Sequence, residues 1–243
     1  MKKRLFIFLL PAMLVMGACE SLNQVLESLP EYTLDPTTGE MAMGLKEALG
    51  NGISSAVTIL GKEGGYLNNP QVKIPFPKEA EFAATTLRDL GLGQLVDNFE
   101  QKLNEGAEKG AQKALPIFKN AIKAMTFEDV KGILLGGENA ATDYFKAKTT
   151  TGLYQAFSPE IKTTLEQVGA TQIWTELTTR YNKIPFTNKK VETDLVKYAT
   201  NKAMDGLFLK IAEEEAKIRK DPIARTSEIL KKVFDYADRQ AGN

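Results

Sequence analysis

The chain has a single thiol, Cys19, and its setting suggests a chemistry for it. Leu14-Val15-Met16-Gly17-Ala18 lead into it, so small residues stand directly before the cysteine, behind an apolar run and a basic start. Lys2, Lys3 and Arg4 form the charged region, and Leu5 to Met16 form the apolar one, interrupted by Pro11. This order of zones is that of a bacterial lipoprotein signal, cut between Ala18 and Cys19 with the lipid carried on Cys19. An apolar run of roughly a dozen residues falls short of the ~20 that cross a bilayer as a helix, and Pro11 weakens it further as a permanent span. Each buried acyl methylene contributes about 0.8 kcal/mol, so several chains on one cysteine anchor a protein essentially permanently. An acylated Cys19 also leaves no thiol for a disulfide.

Other familiar chemistry is limited by what the chain lacks. There is no histidine among 243 residues, which removes Ser-His-Asp and Cys-His nucleophile machinery and the commonest general base and metal ligand. Neither a metal site nor a cofactor is expected. Gly91-Leu92-Gly93 lacks the third glycine and preceding strand of a dinucleotide fingerprint, and Gly61-Lys62 lacks the earlier glycine of a phosphate loop. Ser158 and Lys162 are close enough in sequence for a serine-lysine pair, but Ser158 before Pro159 reads better as a helix cap. Paired-carboxylate hydrolysis survives as an alternative, although spacing alone selects no pair from 31 acids.

Two polar constellations are candidate sites. The first is Asn104, Glu108, Thr142, Tyr144, Lys148 and Thr149, polar groups next to a face almost free of side chains: Gly106, Gly110 and Ala114 fall four apart with Ala107 and Ala111 beside them. Each glycine there costs about 1 kcal/mol relative to alanine. A backbone therefore packs very close to this face, or a ligand pocket opens there. The second is Glu215, Arg219, Asp221 and Arg225, within a run where Glu213 to Lys217, Glu215 to Arg219 and Asp221 to Arg225 are all four apart. Such spacing predicts a solvated, charge-laced helix face, or an anion site built on the two arginines.

The elements that would position these groups read as helices. Leu45, Leu49, Ile53, Ala56, Val57 and Leu60 recur at three and four, the stripe of a helix with one buried face beginning near Met41. Gly64 to Pro70 is a loop, and Val72-Lys73-Ile74-Pro75-Phe76-Pro77 is extended, with two prolines that bar it from a central strand. Pro77 suits the first position of a helix carrying Phe82, Leu87 and Leu90. Further helices are expected over about 94–115, from Pro116 to Met125, and from a capping box at Thr126-Phe127-Glu128-Asp129 to Leu135. Another should run from Glu138 to about Phe157, with Ala140, Ala141, Tyr144 and Phe145 docked on the small-residue face. A new helix is expected at Ser158-Pro159, and then one marked by Ile173, Trp174, Leu177 and Tyr181 before Pro185. A long amphipathic helix should span about Val191 to Lys220, and a final one should carry Ile229, Leu230, Val233 and Phe234 beyond Asp221-Pro222.

The expected fold is thus all-α, a single bundle-like domain of about eight to ten helices. Residues 1–18 read as signal peptide, 19–39 as tether and 40–243 as the domain. Losing Lys2, Lys3 and Arg4 takes the 31 basic residues to 28 against 31 acids, a net charge of about −3. Such a balance, with no basic stripe interleaved with aromatics, argues against a nucleic-acid partner.

Asn104-Glu105-Gly106-Ala107-Glu108, the run Ile133-Leu134-Leu135-Gly136-Gly137-Glu138-Asn139-Ala140-Ala141-Thr142-Asp143-Tyr144-Phe145, Asp205-Gly206-Leu207-Phe208, and Glu213 through Pro222 to Arg225-Thr226 resemble signature blocks of a bacterial family. It is catalogued as a domain of unknown function, four-one-nine-seven. The likeness spans roughly residues 41–236. Gly106 departs from the alanine or arginine more usual at its position, a difference of packing. The resemblance implies a helical fold and export to the bacterial envelope, with no activity or catalytic residue to carry over. The expectation is a lipid-anchored envelope protein, facing the periplasm from the outer membrane because Glu20 rather than aspartate follows the cysteine. It would bind a small or apolar ligand or another envelope component; a carboxylate hydrolase or an assembly protein are the alternatives.

Overall fold

The computed structural model describes residues 35–78, 81–91, 93–167, 169–171, 174–175, 179 and 194–242. The signal, Cys19 and most of the tether lie outside them, as do Ile173, Leu177, Tyr181 and Pro185 and the side chains of Phe82 and Leu87. Helix α1 (Thr38–Leu60) begins inside the stretch that reads as tether, because Thr37 and Glu40 form a reciprocal capping box: Glu40 N donates to Thr37 Oγ1 at 3.2 Å and Thr37 N donates to the Glu40 carboxylate at 2.8 Å. Leu45, Leu49, Ile53, Ala56 and Leu60 are buried along its inner face, as their spacing predicts.

After residues 61–78 come α2 (Glu81–Asp89), α3 (Gly93–Gln112), α4 (Ala114–Ala124) and α5 (Phe127–Leu134). The next helix is thus described from Glu81, beyond Pro77, which is not its first residue. The chain turns at Gly91, whose φ of +77° is the left-handed conformation glycine adopts without strain. The capping box at Thr126 forms as expected, with Asp129 N donating to Thr126 Oγ1 at 3.1 Å. Helices α6 (Ala140–Glu166), α7 (Leu195–Lys220) and α8 (Glu228–Ala241) complete the chain, with a short 3-10 turn (Pro222–Ala224) between the last two. The class is all-α: among the described residues no strand occurs, and Val72 to Pro77 is extended loop.

Among the described residues, six of the eight helices reach 11 residues or more and make up the body, against the eight to ten expected. The clearest difference lies at Ser158-Pro159, where two expected helices are one of 27 residues and Ser158 caps nothing. A proline inside a helix costs about 3 kcal/mol through its missing N–H and its clash with the carbonyl four residues earlier. Pro159 and Gln155 are both exposed, so water reaches that carbonyl, while Phe157 and Ile161 on the opposite face are fully buried and hold the helix together across the break.

Helix α6 lies between α3 and α7, and α1 closes the core against α7, α8, α4 and α5. The N-terminus of α1 is fastened to α8 by Lys232 Nζ, 2.7 Å from Glu40 Oε1. This bond, followed by those from Thr37, lowers the Glu40 pKa from 4.5 to about 2. A carboxylate more acidic in the folded than in the unfolded chain stabilises the fold above pH 4.5 and loses that contribution as pH falls toward 2. Glu40→Gln should therefore flatten the acid limb of a stability-versus-pH curve over that window, measured by urea unfolding followed by circular dichroism. Parallel limbs for the two proteins would contradict this role.

Candidate functional site

The six polar residues predicted to share a pocket are dispersed by the fold. The small-residue face of α3 is filled, and by a different part of α6 than expected. A Cβ on Gly106 would lie 2.8 Å from Ile161 Cα, and one on Gly110 would lie 2.6 Å from Phe157 Cδ1. Close helix packing thus occupies the space, and Ala140 to Phe145 lie elsewhere. Thr142 turns to α7, where its Oγ1 donates to Glu215 at 2.8 Å. Thr149 donates to the Phe145 carbonyl in its own helix at 2.7 Å. Tyr144 Oη donates to the Ala121 carbonyl of α4 at 3.3 Å, with Lys148 Nζ 5.9 Å from its ring centroid. Burial, and then the nearby Asp129 charge, raise the Tyr144 pKa.

Asn104 and Glu108 serve the loop before α2. Asn104 is fully buried; it accepts from Ile74 N at 2.8 Å and donates to the Ile74 carbonyl at 2.9 Å, giving both backbone groups of that residue a partner. Glu108 accepts from Tyr66 N at 3.1 Å and Leu67 N at 3.3 Å. The buried Tyr66 hydroxyl donates to the Ala203 carbonyl at 2.8 Å, and burial, with the charge of Glu108 second, keeps it protonated by raising its pKa. Phe76 seats its ring 4.8 Å from that of Phe99 and 6.0 Å from that of Trp174. Lys73 Nζ meets Glu100 at 3.0 Å. An irregular segment is in this way pinned by side chains of α3.

The second constellation is structural. Glu215 and Arg225 are buried while Lys217 and Asp221 are exposed, so the face is solvated only in part. Of the three pairs spaced at four, Glu215 with Arg219 forms, at 2.9 Å. Lys217 pairs with Glu214, Glu213 with Lys210, and Asp221 accepts from Ile223 N to cap the 3-10 turn. Arg225 donates to Asp235 at 2.6 Å, to Asp238 at 2.7 Å and to the carbonyls of Ile218 and Arg219. Both guanidiniums are taken by carboxylates and carbonyls, which leaves no donors pooled for an anion. Among the described residues, the carboxylates whose acidity the fold shifts move downward: Glu40 and Glu138 mainly through lysines, Glu105 through Lys102 and Lys109, and Asp129 through the Thr126 backbone. A glycosidase-type general acid needs the opposite direction.

What the pinned loop does create is an open groove of about 370 Å³ between residues 71–78 and α7. Tyr198, Lys202, Asp205, Gly206 and Leu209 line it from one face of the helix; Val72, Lys73, Ile74 and Lys78 line it from the loop. Gly206 lets the two walls meet, since a Cβ there would come within 3.0 Å of Val72 and of the Tyr66 ring. Leu209 is 41% exposed at the rim. Two further hollows, of about 440 and 380 Å³, flank the Gly61–Pro70 turn. The sequence signal for the groove is the spacing of Tyr198, Lys202, Asp205 and Leu209 at four, three and four on one helix face, opposite a loop that two prolines keep irregular.

The sequence pattern of the family described as "Protein of unknown function (DUF4197)" matches residues 35–235. The chain belongs to this family. No curated protein and no solved structure matches it. The match to DUF4197 covers the pinned loop, both walls of the groove and every described helix up to the first half of α8.

Proposed function

We propose that this DUF4197 chain is a lipid-anchored protein of the bacterial envelope, held to the outer membrane through Cys19, which acts by binding another envelope component in the groove between residues 71–78 and α7. The groove carries the reading: buried Asn104 and Glu108 are spent on fixing a loop that belongs to no helix, and the result is a preformed concave surface with cations and an exposed leucine at its rim. The segment from Lys2 to Cys19 supports export and acylation. No described helix is long and apolar enough to cross a membrane.

A photo-crosslinking residue placed at Leu209 in the full-length chain, and in a second strain at Met43, tests the site in intact cells. Both positions are exposed, but only Leu209 lines the groove. Leu209 should yield one dominant envelope adduct, identified by mass spectrometry, that Met43 does not. Equal adducts at both positions, or none at Leu209, would remove the groove as the working surface.

A further inference from the structure

Resting on that reading, we propose that the occupant of the groove is an acidic, extended peptide segment of a partner protein, with an apolar residue set between carboxylates. Length gives the first reason. The wall from Tyr198 to Leu209 is eleven steps of α-helix, about 16 Å, the span of about five extended residues. Charge gives the second. Lys78 and Lys202 reach the groove from opposite walls without a carboxylate partner among the described residues, and Lys73 adds a third cation whose charge Glu100 already shares. Such an excess of positive charge is local to the groove, since the chain after the signal is acidic overall. It attracts carboxylates and steers their approach.

Shape gives the third reason. Leu209 supplies an exposed apolar rim above the buried Val72 and Ile74 for a side chain that an extended strand projects on one face, while its other side chains reach the lysines. Asp205, between Lys202 and Leu209 along α7, repels a lone anion but accepts a backbone N–H from a strand lying beside it. A small inorganic anion is poorly served here, because the lysines stand on separate elements rather than converging on one point. A peptide uses them at separate places.

Fluorescence anisotropy on the full-length protein in detergent tests the assignment, with labelled octapeptides of alternating Glu and Leu, alternating Lys and Leu, and alternating Glu and Ser as probes. The Glu-Leu peptide should bind in a salt-sensitive manner, and the Lys-Leu peptide should not. Lys78→Glu with Lys202→Glu should weaken the Glu-Leu complex by about tenfold and bring in the Lys-Leu peptide. Leu209→Ser should weaken it several-fold. All three positions are on the surface, so unchanged circular dichroism will show that the variants fold. No Glu-Leu binding at about 1 mM peptide, or binding indifferent to the lysine reversals, would overturn the assignment. If Leu209 still crosslinks an envelope component in cells under that outcome, the groove stands as a site and its peptide chemistry falls. If it does not, both fall.

Discussion

Glu215→Ala should destabilise the protein by about 3–5 kcal/mol, the range for breaking a buried ion pair by removing one partner. Glu215 acts beyond its own helix. Its Oε1 accepts from Ala141 N at 3.0 Å and from Arg219 Nε at 3.0 Å, and its Oε2 accepts from Thr142 N at 2.9 Å. It therefore caps the start of α6 from α7, where Asn139 makes no side-chain cap of its own. Arg219 in turn donates to the carbonyls of Ile133 at 2.7 Å and Leu134 at 3.4 Å, which ends α5. One pair thus joins the end of α5, the start of α6 and the last turns of α7. Removing the carboxylate strands two amide donors and a guanidinium that is 14% exposed. Urea unfolding should show the midpoint falling with the slope unchanged. A loss under about 1 kcal/mol, the worth of a surface pair, would mean that the junction is held by something else.

The second large effect is expected at the crossing of α3 and α6. Gly106→Ala gains up to about 1 kcal/mol of helix propensity, but its methyl would sit 2.5 Å from Thr164 Oγ1 and 2.8 Å from Ile161 Cα. The first neighbour can rotate away, while the second is backbone and yields only if the two helices separate. Overpacking of this kind costs about 1–3 kcal/mol, and the crossing is buried along its length by Leu103, Ala107, Phe157 and Ile161. Gly50→Ala provides the comparison, since nothing lies within 4 Å of a Cβ there. The two substitutions should move the thermal midpoint in opposite directions, Gly50→Ala upward and Gly106→Ala downward. Movement of both upward would show that the helices are less closely set.

The sequence carried the helical class plainly, through stripes such as Leu45 to Leu60 and capping residues such as Thr126 and Asp129. Those signals are local, and local spacing is enough to produce them. The partner of the small-residue face was hidden because Pro159 marks a helix start in most contexts, and only the buried residues flanking it, supplied by other helices, carry α6 through. The pocket failed for a related reason. A buried asparagine or glutamate must find partners, but its sequence neighbours do not reveal whether those are a ligand or the backbone of a distant loop. Asn104 and Glu108 meet residues 30 and about 40 positions earlier. A usable clue was present in the loop itself: Tyr66, Val72 and Ile74 are apolar enough to be buried, and buried backbone without helix or strand must borrow side-chain partners.

Wherever the groove works, Cys19 must first bring it there. Intact-mass spectrometry of the full-length protein extracted from the membrane fraction of its cells decides that step in one spectrum. The expected species is a chain beginning at residue 19 whose excess mass is that of a diacylglyceryl group and a further acyl chain, absent from a Cys19→Ser variant. A chain of unmodified mass, or one beginning at another residue, would contradict the proposed anchoring and the envelope location built on it.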